Sequence, residues 1–253
     1  LPELIQAVQV DPAMVGRLLK MANSAAFGRP RPVVALTPDV LMSIGIQSVR
    51  QLVLAFSLVS SNRQGQCAEF DYEAFWSRSA ATGVAMQLLG AATRAAPPPE
   101  LFTVGLLANV GRLALSAIHP QAYGKLLHQI GGRFNNGLTS LEAHTFGYSH
   151  AEVASAMMQD WGLPRLFCDA VLHHEHPDAG GAPRDTRTLT LIRCMHLAGR
   201  LSDLCFLKGD ERKSGFQELL PLAHALEIAD GNLAMLGDQM LSEWMDWSRL
   251  LEI

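Results

Sequence analysis

An all-α protein is predicted by three features of the chain. Helix-start devices recur, with an acceptor ahead of a proline at Asp11-Pro12 and again at Thr37-Pro38; such side chains cap free amides, and proline suits the first helical position. Apolar residues return at helical spacing, as at Met14, Val15, Leu18, Leu19 and Ala22, which marks one face of an α-helix. No alternating polar–apolar run is longer than chance would give, so no strand is expected.

The elements follow in order. Gly45 offers a C-cap ahead of a second apolar helix from Gln47 to about Val59. Ser60 to Ala68 is polar and glycine-containing, and it separates an N-terminal helical subdomain from the rest. Ala96-Pro-Pro-Pro99 is a stiff connector into a helix at Glu100. Thr139-x-x-Glu142 and Ser149-x-x-Glu152 both have the form of a capping box. Pro177 to Thr188 is rich in Gly, Pro and Asp and is expected to be irregular. Phe216 to Leu226 and Asn232 to Leu251 form two further amphipathic helices. The last is rich in Leu, Met and Trp and reads as core, with a subunit interface as the alternative.

Bulk properties narrow the function. Hydrophobic residues make up 49% of the 253 and charged residues only 17%, so a large core lies under a lightly charged surface. A net charge of −4 and a pI near 6.1 give no electrostatic footprint for nucleic acid. Cys67, Cys168, Cys194 and Cys205 form no C-x-x-C pair; they read as buried small hydrophobes in a reducing compartment. The longest apolar runs, such as Gln51 to Phe56, are too short to span a bilayer. A cytoplasmic, soluble domain without a membrane partner is expected. Leu1 begins in mid-pattern, which reads as a piece of a longer protein.

The stretch Leu101-Phe-Thr-Val-Gly-Leu-Leu-Ala-Asn-Val-Gly-Arg-Leu-Ala-Leu115 resembles the central helix of the HD phosphohydrolase superfamily. There the motif G-L-L-H-D-I-G-R-L supplies a His-Asp pair to a metal; here the pair reads Ala108-Asn109. A methyl group and a neutral amide cannot replace an imidazole and a carboxylate. Phe75 to Gly83 resembles the early helix of that superfamily, with pattern W-x-H-S-x-x-x-A, and Arg78 stands at the His position. Leu191 to Arg200 is similar to the late stretch that ends in Ala-Asp, and Gly199 takes the place of the Asp. All four ligands of the resemblance are replaced, so no catalytic residue, metal or cofactor is expected at Arg78, Ala108, Asn109 and Gly199. Helical spacing puts Gly105, Ala108, Asn109 and Arg112 on one side of one helix. The guanidinium of Arg78, with that of Arg112, is expected to fill the space of a cation, with Glu142 or Asp169 as counter-charge. A surface-exposed Arg78 is the plainer alternative.

The segment Leu141 to Pro164 carries Glu142, Phe146, Gly147, Ser149, His150, Trp161 and Pro164. It is very similar to the HDOD pattern E-x-x-x-F-G-x-S-H-x-E-V-x-x-x-L-x-x-W-x-L-P. Leu4 to Gly28, with Asp11-Pro12 and Asn23-Ser24, resembles the start of HDOD domains, and Leu41 to Leu54 continues it in register. The resemblance runs from residue 1 to about 205. It implies a multi-helix HD-like fold: an N-terminal subdomain at 1–60, a degenerate HD-like core at 69–205, and C-terminal helices at 206–253 packed on that core. Asn23 and Ser24 follow a helix end, where short polar side chains bond backbone, so a structural role is expected for both.

His173-His-Glu-His-Pro-Asp-Ala-Gly-Gly-Ala-Pro183 looks like a worn form of the HD-GYP segment H-H-E-x-x-D-G-x-G-Y-P, whose family hydrolyses cyclic di-GMP. Adjacent helical histidines point about a hundred degrees apart, so His173 and His174 do not easily serve one ion together. A metal held by some of His144, His150, His173, His174 and His176 is the minority reading, against histidines with hydrogen-bonding roles.

The HDOD resemblance implies a bacterial, non-enzymatic regulatory module that works by protein–protein contact. Its partners would be receiver, diguanylate cyclase or kinase domains, or a second copy of itself. Arg78, Arg112, Glu142, His150, His173 and His174 are the candidate contacts for a ligand or partner. The alternatives are a metal-dependent phosphodiesterase on a cyclic dinucleotide and a nucleotide sensor that uses the old active-site cavity.

Overall fold

Pro12 opens the first helix, α1 (Pro12–Ala22), and Pro38 opens α2 (Pro38–Ile44), where the Thr37 hydroxyl accepts from Val40 N at 3.3 Å. The computed structural model of this chain describes residues 12–23, 31–44, 65–130, 136–178 and 186–251. Asp11, Ser24, Gly45 and the expected helix from Gln47 to Val59 lie outside the described residues. Within them the structure is helical, with no strand. The all-α class predicted from the sequence is the one found.

The central element is α3 (Tyr72–Thr93), capped by the Asp71 carboxylate on Ala74 N and stopped at Arg94 with φ 54°. From Phe75 to Gly90 most of its residues are buried, as befits a helix enclosed by others, and α4 (Pro98–Leu107), α10 (Thr186–Leu204) and α12 (Asp230–Leu251) pack around it. Pro98 and Pro99 belong to the first turn of α4. The proline run is therefore a helix start and not a connector, since the first turn has no use for their missing N–H groups.

A Cβ on Gly105 would lie 2.7 Å from the carbonyl oxygen of Thr82, so α4 crosses α3 at backbone contact. After Leu107 the helix breaks: Ala108 and Asn109 form a turn, and α5 (Val110–Ile118) sets out afresh. Gly105, Ala108, Asn109 and Arg112 thus do not share one side of a continuous helix. By length and hydropathy, residues 98–118 would pass for a membrane span, yet most of the most apolar part of the stretch is buried inside the fold.

Next come α6 (Pro120–Gln129), α7 (Asn136–Phe146), α8 (His150–Asp160) and α9 (Arg165–His173). The capping box at Ser149 and Glu152 forms in full. That at Thr139 does not, because Thr139 falls inside α7 and Glu142 turns to a buried partner instead. C-terminally, α11 (Gly209–His224) starts earlier than the apolar pattern suggested and carries Pro221 within it; α12 starts at Asp230.

One main core draws on every described segment, from Leu18 and Leu19 through Leu89 and Leu197 to Leu219 and Met240. A smaller cluster gathers around Tyr123, Phe70 and Phe75. Trp161 ties α8 to the N-terminal helices: a Cβ on Gly16 would fall 2.4 Å from its ring. Asn23 completes the joint, donating from Nδ2 to Val33 O (2.9 Å) and Trp161 O (3.0 Å) while Oδ1 accepts from Val33 N (2.6 Å). The four cysteines are free and buried.

Candidate functional site

Glu142, on the buried face of α7, is 0% exposed, and a carboxylate there must be fully partnered. It is. Oε1 accepts from the Tyr123 hydroxyl at 2.8 Å, and Oε2 accepts from His150 N at 2.8 Å and lies 2.6 Å from His150 Nδ1. Burial alone would raise its pKa, but the hydrogen bond from His150 and that residue's charge win and hold the carboxyl below its ordinary value. Burial, with Glu142 beside it, pushes the Tyr123 phenol up.

His150 stands at the first position of α8, where Ser149 caps the helix. Gly111 makes this placement possible, since a Cβ there would lie 2.0 Å from His150 O. The second ring nitrogen, Nε2, reaches Glu175 Oε1 at 3.2 Å. Glu175 sits in the turn just after α9. The same oxygen accepts from Arg112 Nη2 at 3.2 Å and lies 3.6 Å from His174 Nε2. Burial opposes ionisation of Glu175, yet the His150 hydrogen bond and the charges of His174 and Arg112 hold it far below the carboxylate range.

His174 is locked from the other side. Its Nδ1 lies 2.6 Å from Val171 O, and its own carbonyl meets His196 Nδ1 at 2.7 Å. Burial lowers the pKa of both His174 and His196, favouring neutral rings.

A cavity of about 50 Å³ opens beside this network, and Arg78, Asn109 and Gly199 line it together with Arg112 and His174. Ala108, fully buried in the core, sits next to Asn109 in the α4–α5 turn. The structure thus brings three of the four replaced positions to one cavity. A Cβ at Gly199 would meet nothing within 4 Å.

Arg78 faces inward, with its side chain 18% exposed. Its counter-charge is Asp203 of α10, and neither Glu142 nor Asp169; the latter pairs with Arg165 at 3.5 Å. The Phe206 ring lies 4.7 Å from the Arg78 guanidinium, within range of a cation–π contact. Burial, and then repulsion from Arg112, lower the Arg78 pKa to about 10, which leaves the group cationic at neutral pH. A guanidinium, a methyl and a glycine supply no donor and the Asn109 amide only one neutral oxygen, so these four positions do not fit an HD-type metal centre.

Of the remaining candidates, His173 is half-buried at the end of α9, and His144 and His176 are exposed. Tyr123, His196 and Asp203 escaped the sequence reading. His196, Gly199 and Asp203 recur at helical spacing on α10, a signal that could have found two of them; nothing around Tyr123 announces a buried hydroxyl. A roomier apolar pocket of about 500 Å³ between α10, α11 and α12 carries no comparable cluster of chemical groups.

The HDOD domain profile matches residues 1–177. The chain belongs to the HDOD domain family. In solved structures, the domain is similar to the MmoQ response regulator of Methylococcus capsulatus str. Bath: 34% identity, 90% of this chain and 86% of that one covered, TM-score 0.75. At fold level it is similar to an HDOD domain protein of unknown function from Geobacter sulfurreducens (18%, covering 93% and 81%, TM-score 0.61). A Shewanella amazonensis protein named as a candidate phosphohydrolase shares the fold too (20%, covering 99% and 93%, TM-score 0.60). A Treponema pallidum (strain Nichols) protein is 26% identical over 181 residues, which is 71% of this chain and 34% of that protein. The chain therefore spans about a third of that relative's length.

Proposed function

We propose that this HDOD domain is a non-catalytic regulatory module that relays a signal by contact with receiver, diguanylate cyclase or kinase domains in the cytoplasm. The observation that carries this reading is the cavity lined by Arg78, Asn109 and Gly199. Arg78 and Arg112 stand there against Asp203 and Glu175, in place of a hydrolytic metal centre. Its volume of about 50 Å³ is far below the roughly 300–1,000 Å³ that small-molecule ligands occupy, which also disfavours a nucleotide sensor. Similarity to a protein named as a response regulator supports an output role within a larger regulator.

A titration of the purified domain against receiver, diguanylate cyclase and kinase domains from the same organism tests the reading. Saturable binding at micromolar concentration is expected. No binding to any of the three classes, and no self-association in sedimentation, would count against it.

A further inference from the structure

We propose that His150, His174 and Glu175 form a binding site for one divalent transition-metal ion of the zinc class, distinct from the four HD ligand positions. Glu175 Oε1 lies 3.2 Å from His150 Nε2 and 3.6 Å from His174 Nε2, and the three donor atoms all fall within 4.8 Å of one another. Bond lengths near 2.1 Å in a tetrahedral site put donors about 3.4 Å apart, so the two contacts straddle the required spacing. Two imidazoles and a carboxylate are a donor set that divalent transition metals favour.

The outer partners point the same way. Val171 O can only accept, so the 2.6 Å contact places a proton on His174 Nδ1. In the neutral ring, Nε2 then carries a lone pair, and it faces a carboxylate oxygen. The Glu175 oxygen is partnered by Arg112 Nη2 at 3.2 Å, so the lone pair on His174 Nε2 is the donor that a bound cation would take up. His150 is held alike: Nδ1 rests 2.6 Å from Glu142 Oε2, and Nε2 points at the same Glu175 oxygen, so that a bound ion would replace the proton Nε2 otherwise donates there. Carboxylate–histidine and carbonyl–histidine contacts of this kind orient metal-bound imidazoles. Glu142 is itself fixed by Tyr123 and by His150 N, so the ring has little freedom to turn away.

The ion would fasten the start of α8 to the turn after α9. Arg112 Nη2, 3.2 Å from Glu175 Oε1, shares the ligand oxygen and weakens the site. The small adjoining cavity admits a few waters to complete the coordination but no nucleotide. Binding without ester hydrolysis is therefore the expected combination.

The test is titration of chelator-stripped protein with zinc chloride by calorimetry and with cobalt chloride by visible absorption, beside elemental analysis of protein never exposed to chelator. One equivalent should bind, with the intense visible bands of low-coordinate cobalt. His174→Ala should lose at least about 100-fold in affinity, and Glu142→Gln about 10–100-fold, as for other outer partners. His176→Ala, an exposed neighbour, should bind as the parent does. Each variant is compared only where its circular dichroism matches the parent. Should Glu142→Gln fail to fold, His174→Ala alone decides. Failure to bind near-stoichiometric metal, or affinity indifferent to His174→Ala, overturns the site. Metal-dependent ester turnover would uphold the site and overturn the non-catalytic reading, so the two fail separately.

Discussion

Tyr123 contributes one hydroxyl to a buried carboxylate, and its loss isolates a single interaction. The ring is 0% exposed and packed among apolar neighbours, so Tyr123→Phe keeps the shape and removes only the donor to Glu142 Oε1. A hydrogen bond to a charged group is worth about 1.5–3 kcal/mol. Urea unfolding should show a loss in that range with an unchanged m-value. A variant as stable as the parent would mean that Glu142 does not depend on this hydroxyl. At this scale the sequence was partly legible. His150 and Glu142 were visible because they stand in a motif with a capped helix start, whereas Tyr123 lies in an ordinary amphipathic stretch. Arg78 could be assigned an inward role only together with a counter-charge. Asp203 supplies it from a helix more than a hundred residues away, a pairing that local spacing does not encode.

Among the elements, the contact of α5 with α8 positions the network. Gly111 lets the two backbones touch, and any side chain there strikes His150 O. Gly111→Ala should cost at least the roughly 1–3 kcal/mol of overpacking, and more if α8 is pushed from Glu175. A thermal melt reads this directly. An unchanged melting temperature would show that the helices separate freely. Helix starts were the most legible feature at this level, because capping chemistry is local: Thr37-Pro38 and the Ser149–Glu152 box both stand where their residue types direct. The break at Ala108-Asn109 was not legible, since apolar residues continue on both sides of it with no proline to mark a stop. What ends α4 there is tertiary: α3 lies against one half, and α8 against the other. The Thr139 box failed for a related reason, as Glu142 gains more from Tyr123 and His150 than from a helix start.

The whole molecule places two histidines and two carboxylates with lowered pKa values in one buried network. His174 and His196 have pKa values below the ordinary 6.5, so the unfolded chain takes up more protons as pH falls through that value. Glu142 and Glu175 lie below the ordinary 4.5, so their ionised forms stabilise the fold above it and cease to do so in acid. Stability is thus greatest near neutrality, begins to fall below about pH 6.5, and falls further below about pH 4.5. Melts of chelator-treated protein from pH 8 to 4 should show a monotonic loss on acidification. A melting temperature flat across that span would contradict the buried charges. The fold class was readable at this scale, because helical periodicity and family motifs agree along most of the chain. That Arg78, Asn109 and Gly199 line one cavity came only from the packing of α3, α5, α8, α9 and α10.

The central claim is that an HD-like frame is retained here without hydrolysis of phosphate esters. The most direct measurement is turnover of cyclic di-GMP and of bis(p-nitrophenyl) phosphate by protein loaded with manganese or zinc, followed over many hours at high enzyme concentration. Product formation equal to a protein-free control is predicted for both substrates and both metals. Linear dinucleotide or p-nitrophenolate that scales with protein concentration, and disappears in His174→Ala, would contradict the claim.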